Sequence, residues 1–322
     1  MNRPQTTQLS RKGALGGISV LTAAALMVSV APSWADDPQV SQATQAAAVV
    51  EKATGTEDLA DSAPVKGGAT QAAVFTDDGR ITVTAPSAAT GQVTSTAPDG
   101  SVVSIGLPAT SDVRGAEAGA GTVVYPNASK STDLAVQPTT DGGVRALVTL
   151  KDRSASTTQR FTIDVPNGAS LHEDGRGGYE ITNESTDGVH TVIASVAAPW
   201  AKDANGKPVA TRYTLDGDQL VQTIDVNDHT AFPVVADPKF TWGIVTGTAY
   251  FNRTETRRIA QNGAITAMAA WALPPGLNAY VSMHSAAITV TANKAYATKR
   301  CIKIKFAAGL FIPDQYSGGY CK

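Results

Sequence analysis

Cysteine is almost missing from this chain of 322 residues: only Cys301 and Cys321 occur, close to the C-terminal end. So few thiols exclude a disulfide-dense scaffold and a four-cysteine metal site. Histidine is also sparse, and His172, His190, His229 and His284 fall at no metal-ligand spacing. The oxygens of Asp225, Asn227 and Asp228 lack the remaining positions of a calcium loop. No metal and no cofactor is therefore expected. The chain also lacks G-x-S-x-G, H-E-x-x-H and P-loop motifs, and neither cysteine has the surroundings of a nucleophile. No catalytic residue can be named from sequence, and the expectation is a non-enzymatic protein.

Charge is absent from two stretches. The first lies between Lys12 and Asp36, where the apolar run Leu15 to Val30 is followed by Ser33-Trp34-Ala35. A basic start, an apolar centre and small residues before a cut after Ala35 describe a secretory signal peptide over 1–35. Gly16-Gly17 and Pro32 interrupt a run already short for a membrane span. Export places the two cysteines in an oxidising compartment, where one internal disulfide, Cys301–Cys321, is the simplest outcome.

The second charge-free stretch runs from Arg258 to Lys294, with His284 taken as neutral. It lies in a segment of opposite sign to the rest. Asp36 to Lys239 carries 14 Lys and Arg against 26 Asp and Glu, whereas Phe240 to Lys322 carries 9 against 2. The overall balance of −2 thus conceals an acidic body and a basic end. Such a division points to an anionic partner, a membrane or cell-wall polymer, or to contact between the chain's own halves. No nucleic-acid partner is expected.

Residues 36–72 are rich in Ala, Gln, Thr and Gly and poor in large apolar side chains, which predicts a flexible leader with at most a short helix near Val40 to Lys52. From 73 to 235 the pattern becomes short alternating runs rich in Val, Ile and Thr. Arg80–Thr84, Ser101–Ile105, Arg145–Leu150 and Arg160–Val165 are examples, and Asp-Gly or Asn-Gly pairs such as Asp99-Gly100, Asp141-Gly142 and Asp216-Gly217 fall between such runs. These dipeptides supply the positive φ angles of tight reversals, so the fold class predicted is mainly β, an antiparallel sandwich-like body. The echo between Val103–Pro108 and Phe161–Pro166 suggests two units, 73–143 and 144–235.

The segment Ala198-Pro199-Trp200-Ala201-Lys202-Asp203-Ala204-Asn205-Gly206-Lys207, followed by Pro233-Val234-Val235-Ala236-Asp237-Pro238, resembles a group of uncharacterised secreted proteins of high-GC Gram-positive bacteria. The resemblance covers roughly Arg145 to Asp237. It implies a secreted β domain ahead of variable C-terminal segments, some of them toxin-like, and it transfers no catalytic residue. On the residues themselves, Trp200 reads as a core anchor and Asp203 as a turn acceptor.

After Pro238, residues 236–322 read as a small, helix-rich α+β module closed by the disulfide. Asn252 and Glu255 form a capping-box pattern for a helix ending at Asn262-Gly263. Ala264 to Leu273 and Leu277 to Lys299 predict two more, separated by Pro274-Pro275-Gly276. Arg300 to Phe306 alternates as a strand, with Ile302, Ile304 and Phe306 on one face and Cys301, Lys303 and Lys305 on the other. A strand edged by solvated lysines is the plain reading of that pattern.

The functional expectation is a bacteriocin- or toxin-like module that meets an anionic membrane or cell wall through Arg257, Arg258, Lys294, Lys299, Arg300, Lys303 and Lys305, masked until then by the acidic body. The alternatives are an envelope-associated binding or adhesion protein that recognises its ligand through the β body, and a hydrolase whose site assembles only in space around His190 or His229.

Overall fold

In a computed structural model the chain is described over residues 38–76, 79–184, 190–242, 248–268, 277–307 and 310–322. The expected signal peptide lies outside these residues. The chain begins with helix α1 (Pro38–Thr54) and then five strands, β1 (Ser62–Pro64), β2 (Thr70–Thr76), β3 (Gly79–Ala85), β4 (Gln92–Thr96) and β5 (Val102–Gly106). Next come β6 (Ala116–Ala118), β7 (Thr122–Ser129), β8 (Thr132–Pro138), β9 (Val144–Leu150) and β10 (Thr158–Asp164). They are followed by β11 (Ala169–Glu173), β12 (Tyr179–Glu184), β13 (His190–Val196), β14 (Ala201–Lys202), β15 (Thr211–Asp216) and β16 (Gln219–Ile224). The C-terminal part contains β17 (Val234–Ala236), β18 (Lys239–Trp242), β19 (Thr248–Tyr250), α2 (Arg253–Asn262), α3 (Ala264–Met268), α4 (Leu277–Ala297), β20 (Cys301–Ala307) and β21 (Leu310–Tyr316).

The fold is mainly antiparallel β. One sheet has the order β1-β2-β3-β4-β5-β10-β16-β15. A second has the order β21-β20-β19-β13-β18-β9-β8-β7-β6, with β11-β12 joined through β13 and β14-β17 through β9. The sequence-read strands coincide with β3, β5, β9 and β10, overrunning an element by at most one residue; alternation buries one face of β3, β5 and β10, whereas β9 is buried on both. Turn chemistry fixes the reversals. Asp216 pairs with Gln219, so Gly217 and Asp218 form the loop, and Gly217 takes a φ of 64° that a β-carbon disfavours. At Gly142, with a φ of 78°, an added β-carbon would also stand 2.5 Å from Cδ1 of Ile81.

A single buried cluster draws on both sheets, with Ile81, Val83 and Phe161 from one and Val136, Val148 and Ala194 from the other. Trp242 ties the two by donating its indole N–H to Ser95 Oγ at 2.6 Å.

The short helix expected near Val40 to Lys52 is present as α1, and it is a packed element, not part of a flexible leader. Ala43, Ala46, Ala47 and Val50 recur at helical spacing and are buried against Val124, Ala135, Leu147 and Val235. Their neighbours Val123, Val136 and Val148 point the other way, into the core shared by the sheets. Strands β7 to β9 are therefore apolar on both faces because one face meets the other sheet and the other face meets α1. Alanine suits this role, since a small side chain lets the helix axis approach the sheet. Glu51 anchors the end of α1 by accepting from Ala120 N at 2.7 Å and Thr122 Oγ1 at 2.8 Å.

The expected division into units at 143/144 is also corrected. The two echoing segments are neighbouring strands, β5 and β10, with Ile105 opposite Ile163. Likewise β9, from the second expected unit, pairs with β8 from the first. The echo reflects two strands facing the same core in one sheet.

The two motif segments that carry the resemblance meet in space. Ala201 and Lys202 of β14 pair with Ala236 and Val235 of β17. Trp200 N donates to Asp237 Oδ1 at 2.9 Å, and the Tyr213 hydroxyl donates to the same oxygen at 3.4 Å. Asp203 accepts from Asn205 N and Lys207 N, both at 2.9 Å, which makes it the turn acceptor read from sequence. Trp200 is half-buried against the α1 cluster, with the Lys202 ammonium 5.2 Å from its ring centre.

Candidate functional site

The helices of the C-terminal part form where the local signals place them. Asn252 Oδ1 accepts from Glu255 N at 2.9 Å and Glu255 Oε2 accepts from Asn252 N at 2.6 Å, a reciprocal cap on α2. The N–H of Gly263 bonds back to Ile259 O and closes the helix. The described part of α3 ends at Met268, so the rest of its expected span, to Leu273, lies outside the described residues. Ile259, Met268, Val281, Ile288, Ile302 and Ile304 form a separate buried cluster, which packs the helices against one face of β20.

Two contacts fix the direction of α2 relative to α4. At the start of α2, the Arg253 guanidinium lies 5.3 Å from the Tyr296 ring centre and donates to Arg300 O at 3.3 Å. Just beyond its end, Ala264 N donates to Thr289 Oγ1 at 2.9 Å. The helices are therefore antiparallel, and Arg257 and Arg258 come level with the last turns of α4. This brings Arg257, Arg258, Lys294, Lys299 and Arg300, all exposed, to the same end of the helix pair. No ion pair among the described residues includes any of the five. Towards the other end, Ile265 beside Ala264 and Val290 beside Thr289 are 52% and 67% exposed. Met283, which precedes the break in helical geometry at His284 of α4, is 73% exposed.

The two strand lysines are not part of this group. Since Ile302 and Ile304 face the helices, Lys303 and Lys305 project from the opposite face of β20. Lys305 pairs with Asp314 at 3.0 Å, and the Lys303 ammonium lies 5.8 Å and 5.9 Å from the Tyr250 and Tyr316 ring centres. Burial, and then the charge of Lys305, hold the Lys303 ammonium below its ordinary pKa. Nor is β20 an edge: it runs between β19 and β21. The seven expected surface contacts thus separate into five exposed cations, three on α2 and α4 and two in the turn after α4, and two strand lysines occupied within the fold.

An aromatic cluster that sequence reading missed covers the lysine face. The disulfide between Cys301 and Cys321 returns the tail to β20, and Tyr320 stacks on His190 at 4.0 Å between ring centres. His172 and Tyr250 meet the same ring edge-on and tilted, at 5.1 Å and 5.3 Å. Tyr320 Oη and Thr182 Oγ1 share a hydrogen bond at 3.1 Å. Tyr250 donates to Glu180 Oε1 at 3.1 Å, while burial pushes the Glu180 carboxyl above its ordinary pKa. The available signal was the pair Gly318-Gly319, both at positive φ, which lets the tail reverse before Tyr320. These contacts and the pairing of β13 with β19 join the basic end to the acidic body. Among the described residues no ion pair does so.

His190 therefore stacks between strands and tail, and His229 sits exposed in a turn where its N–H bonds to Asn227 Oδ1 at 2.9 Å. Among the described residues no group of three or more His, Cys, Asp or Glu side chains is placed to hold a metal, and no helix is long and apolar enough to cross a membrane. Comparison with protein-family models, with curated proteins and with solved structures finds no match to this chain.

Proposed function

We propose that the chain is a secreted, non-enzymatic protein in which a sandwich-like β body presents a helix-rich, disulfide-closed module to an anionic phospholipid surface. The observation that carries this reading is the gathering of Arg257, Arg258, Lys294, Lys299 and Arg300 at one end of the α2–α4 pair, with Ile265, Met283 and Val290 exposed towards its other end. Cations in no ion pair among the described residues favour an anionic surface, and exposed apolar side chains on the same helix pair favour lipid over a wall polymer, because they gain by entering the acyl boundary. Export accords with the disulfide and with the resemblance carried by Ala198–Lys207 and Pro233–Pro238. The five cations are already exposed, so this reading needs no unmasking by proteolysis.

The test is co-sedimentation of the full chain, lacking residues 1–35, with phosphatidylglycerol and phosphatidylcholine vesicles, and with lipoteichoic acid coupled to beads. Binding should be confined to phosphatidylglycerol and should fall as salt rises. Substituting Arg257, Arg258 and Lys294 by Gln should weaken it roughly 100-fold, at about 1 kcal/mol per cation. Equal binding by the variant refutes the site, and binding to lipoteichoic acid alone refutes the lipid.

A further inference from the structure

A cleft of about 440 Å³ lies on the β body, between α1 and the adjoining ends of β7, β8 and β9. It lies on the side of the second sheet covered by α1, and it goes beyond the surface-binding reading, which rests on α2 to α4. Its polar lining is Gln42, Gln45, Asn127, Asp133, Thr149 and Lys151, and its apolar lining includes Val49, Pro126 and Pro233. A volume of this size is in the range of sites that enclose small ligands.

The cleft is made by an interruption of the strand ladder. The register of β7 on β8 shifts between Tyr125 and Ser129, and Asn127 takes a left-handed φ of 57°. Bulges of this kind redirect a side chain away from the sheet, and a non-glycine residue in that conformation persists only where its surroundings hold it. Here Asp133 holds it, accepting from Asn127 N at 2.7 Å. Lys151 completes the set: its ammonium pairs with Asp133 at 3.0 Å and donates to Asn127 Oδ1. With its oxygen engaged by Lys151, the Asn127 carboxamide turns its N–H group towards Gln42, whose Oε1 lies 3.4 Å away.

The ligand class follows from this chemistry. Asp133 and Lys151 neutralise one another, so the lining presents neither a spare cation for an anion nor a spare carboxylate for a cation. Three carboxamides, from Gln42, Asn127 and Gln45, line the cleft; Gln45 offers both donors and an acceptor, Gln42 keeps its donors, and Asn127 keeps one, a set suited to neighbouring hydroxyls that donate and accept together. The proline rings and Val49 supply an apolar floor for the C–H face of a ring. We propose that this cleft binds a neutral saccharide. Without an aromatic platform in the lining, binding should be weak.

Saturation-transfer difference NMR on the full chain, with the trisaccharides of N-acetylglucosamine and of glucose and with trialanine amide as a peptide control, tests the proposal. Transfer to at least one sugar is expected at about 10 mM ligand, corresponding to a millimolar dissociation constant. The double variant Gln42→Ala/Gln45→Ala, exposed positions where alanine favours the helix, should reduce it at least tenfold with α1 intact by circular dichroism. No transfer to either sugar, undiminished transfer in the variant, or transfer to the peptide alone each overturns the proposal. Vesicle binding by this variant should be unchanged, so failure here is distinct from failure of the lipid reading.

Discussion

Replacing Asp237 by asparagine should change how stability responds to pH, in a direction the surroundings of this residue dictate. Asp237 is fully buried, and burial pushes its carboxyl up to about 7 despite hydrogen bonds from Trp200 N–H and the Tyr213 hydroxyl. Both donors use Oδ1, and Oδ2 has no hydrogen bond among the described residues. The oxygen without a donor is the one suited to carry a proton. In the unfolded chain the same group ionises near about 3.9. Between these values the folded state binds the extra proton, so its contribution is complete below the unfolded value and is lost as pH rises through the folded one. With those two pKa values, the loss between pH 5 and pH 8 comes to about 2.5 kcal/mol. An asparagine side chain at this position would keep the acceptor for Trp200 and Tyr213 and cannot ionise, so D237N should lack this loss. Urea unfolding followed by tryptophan fluorescence, for both proteins at both pH values, reads the effect. Other titrating groups cancel in the difference between the proteins. The reasoning is refuted if the stability gap between D237N and the unsubstituted chain stays within about 0.5 kcal/mol from pH 5 to pH 8.

Two further outcomes concern the C-terminal module. The double substitution Cys301→Ser/Cys321→Ser should cost about 3 kcal/mol, since the bond closes a loop with a sequence separation of 20. Thermal unfolding with and without reductant checks this, because reductant should lower the midpoint of the unsubstituted chain and leave the variant where it is. Asn252→Ala removes the acceptor for Glu255 N at the start of α2 and should cost about 1 kcal/mol in urea unfolding, whereas Asn252→Asp should cost little.

Much of the local structure was legible in the sequence. Strand alternation marked β3, β5, β9 and β10, Asn252 with Glu255 marked the start of α2, and the only two cysteines formed the one bond available to them. These features depend on neighbours along the chain: the period of burial, the φ a turn requires, the donors a helix end leaves open. The concentration of cations near the C-terminus was readable on the same basis.

What the tertiary structure decided depends on partners distant in sequence. The alanines of α1 looked too small to order a leader, and they do so only because Leu147, Ala135 and Val124 present a flat apolar face to them. No local pattern says that β5 lies beside β10, that Trp200 meets Asp237, or that the tail carries Tyr320 onto His190. The seven candidate cations were a single list in sequence, and the two faces of β20, with the antiparallel course of α2 and α4, divided them. The cleft at Asn127 likewise exists only where α1 closes over a break in the strand ladder. Sequence specified which segments are strands and helices through short-range backbone preference and periodicity, while the pairing that builds sites arose from burying those segments against one another.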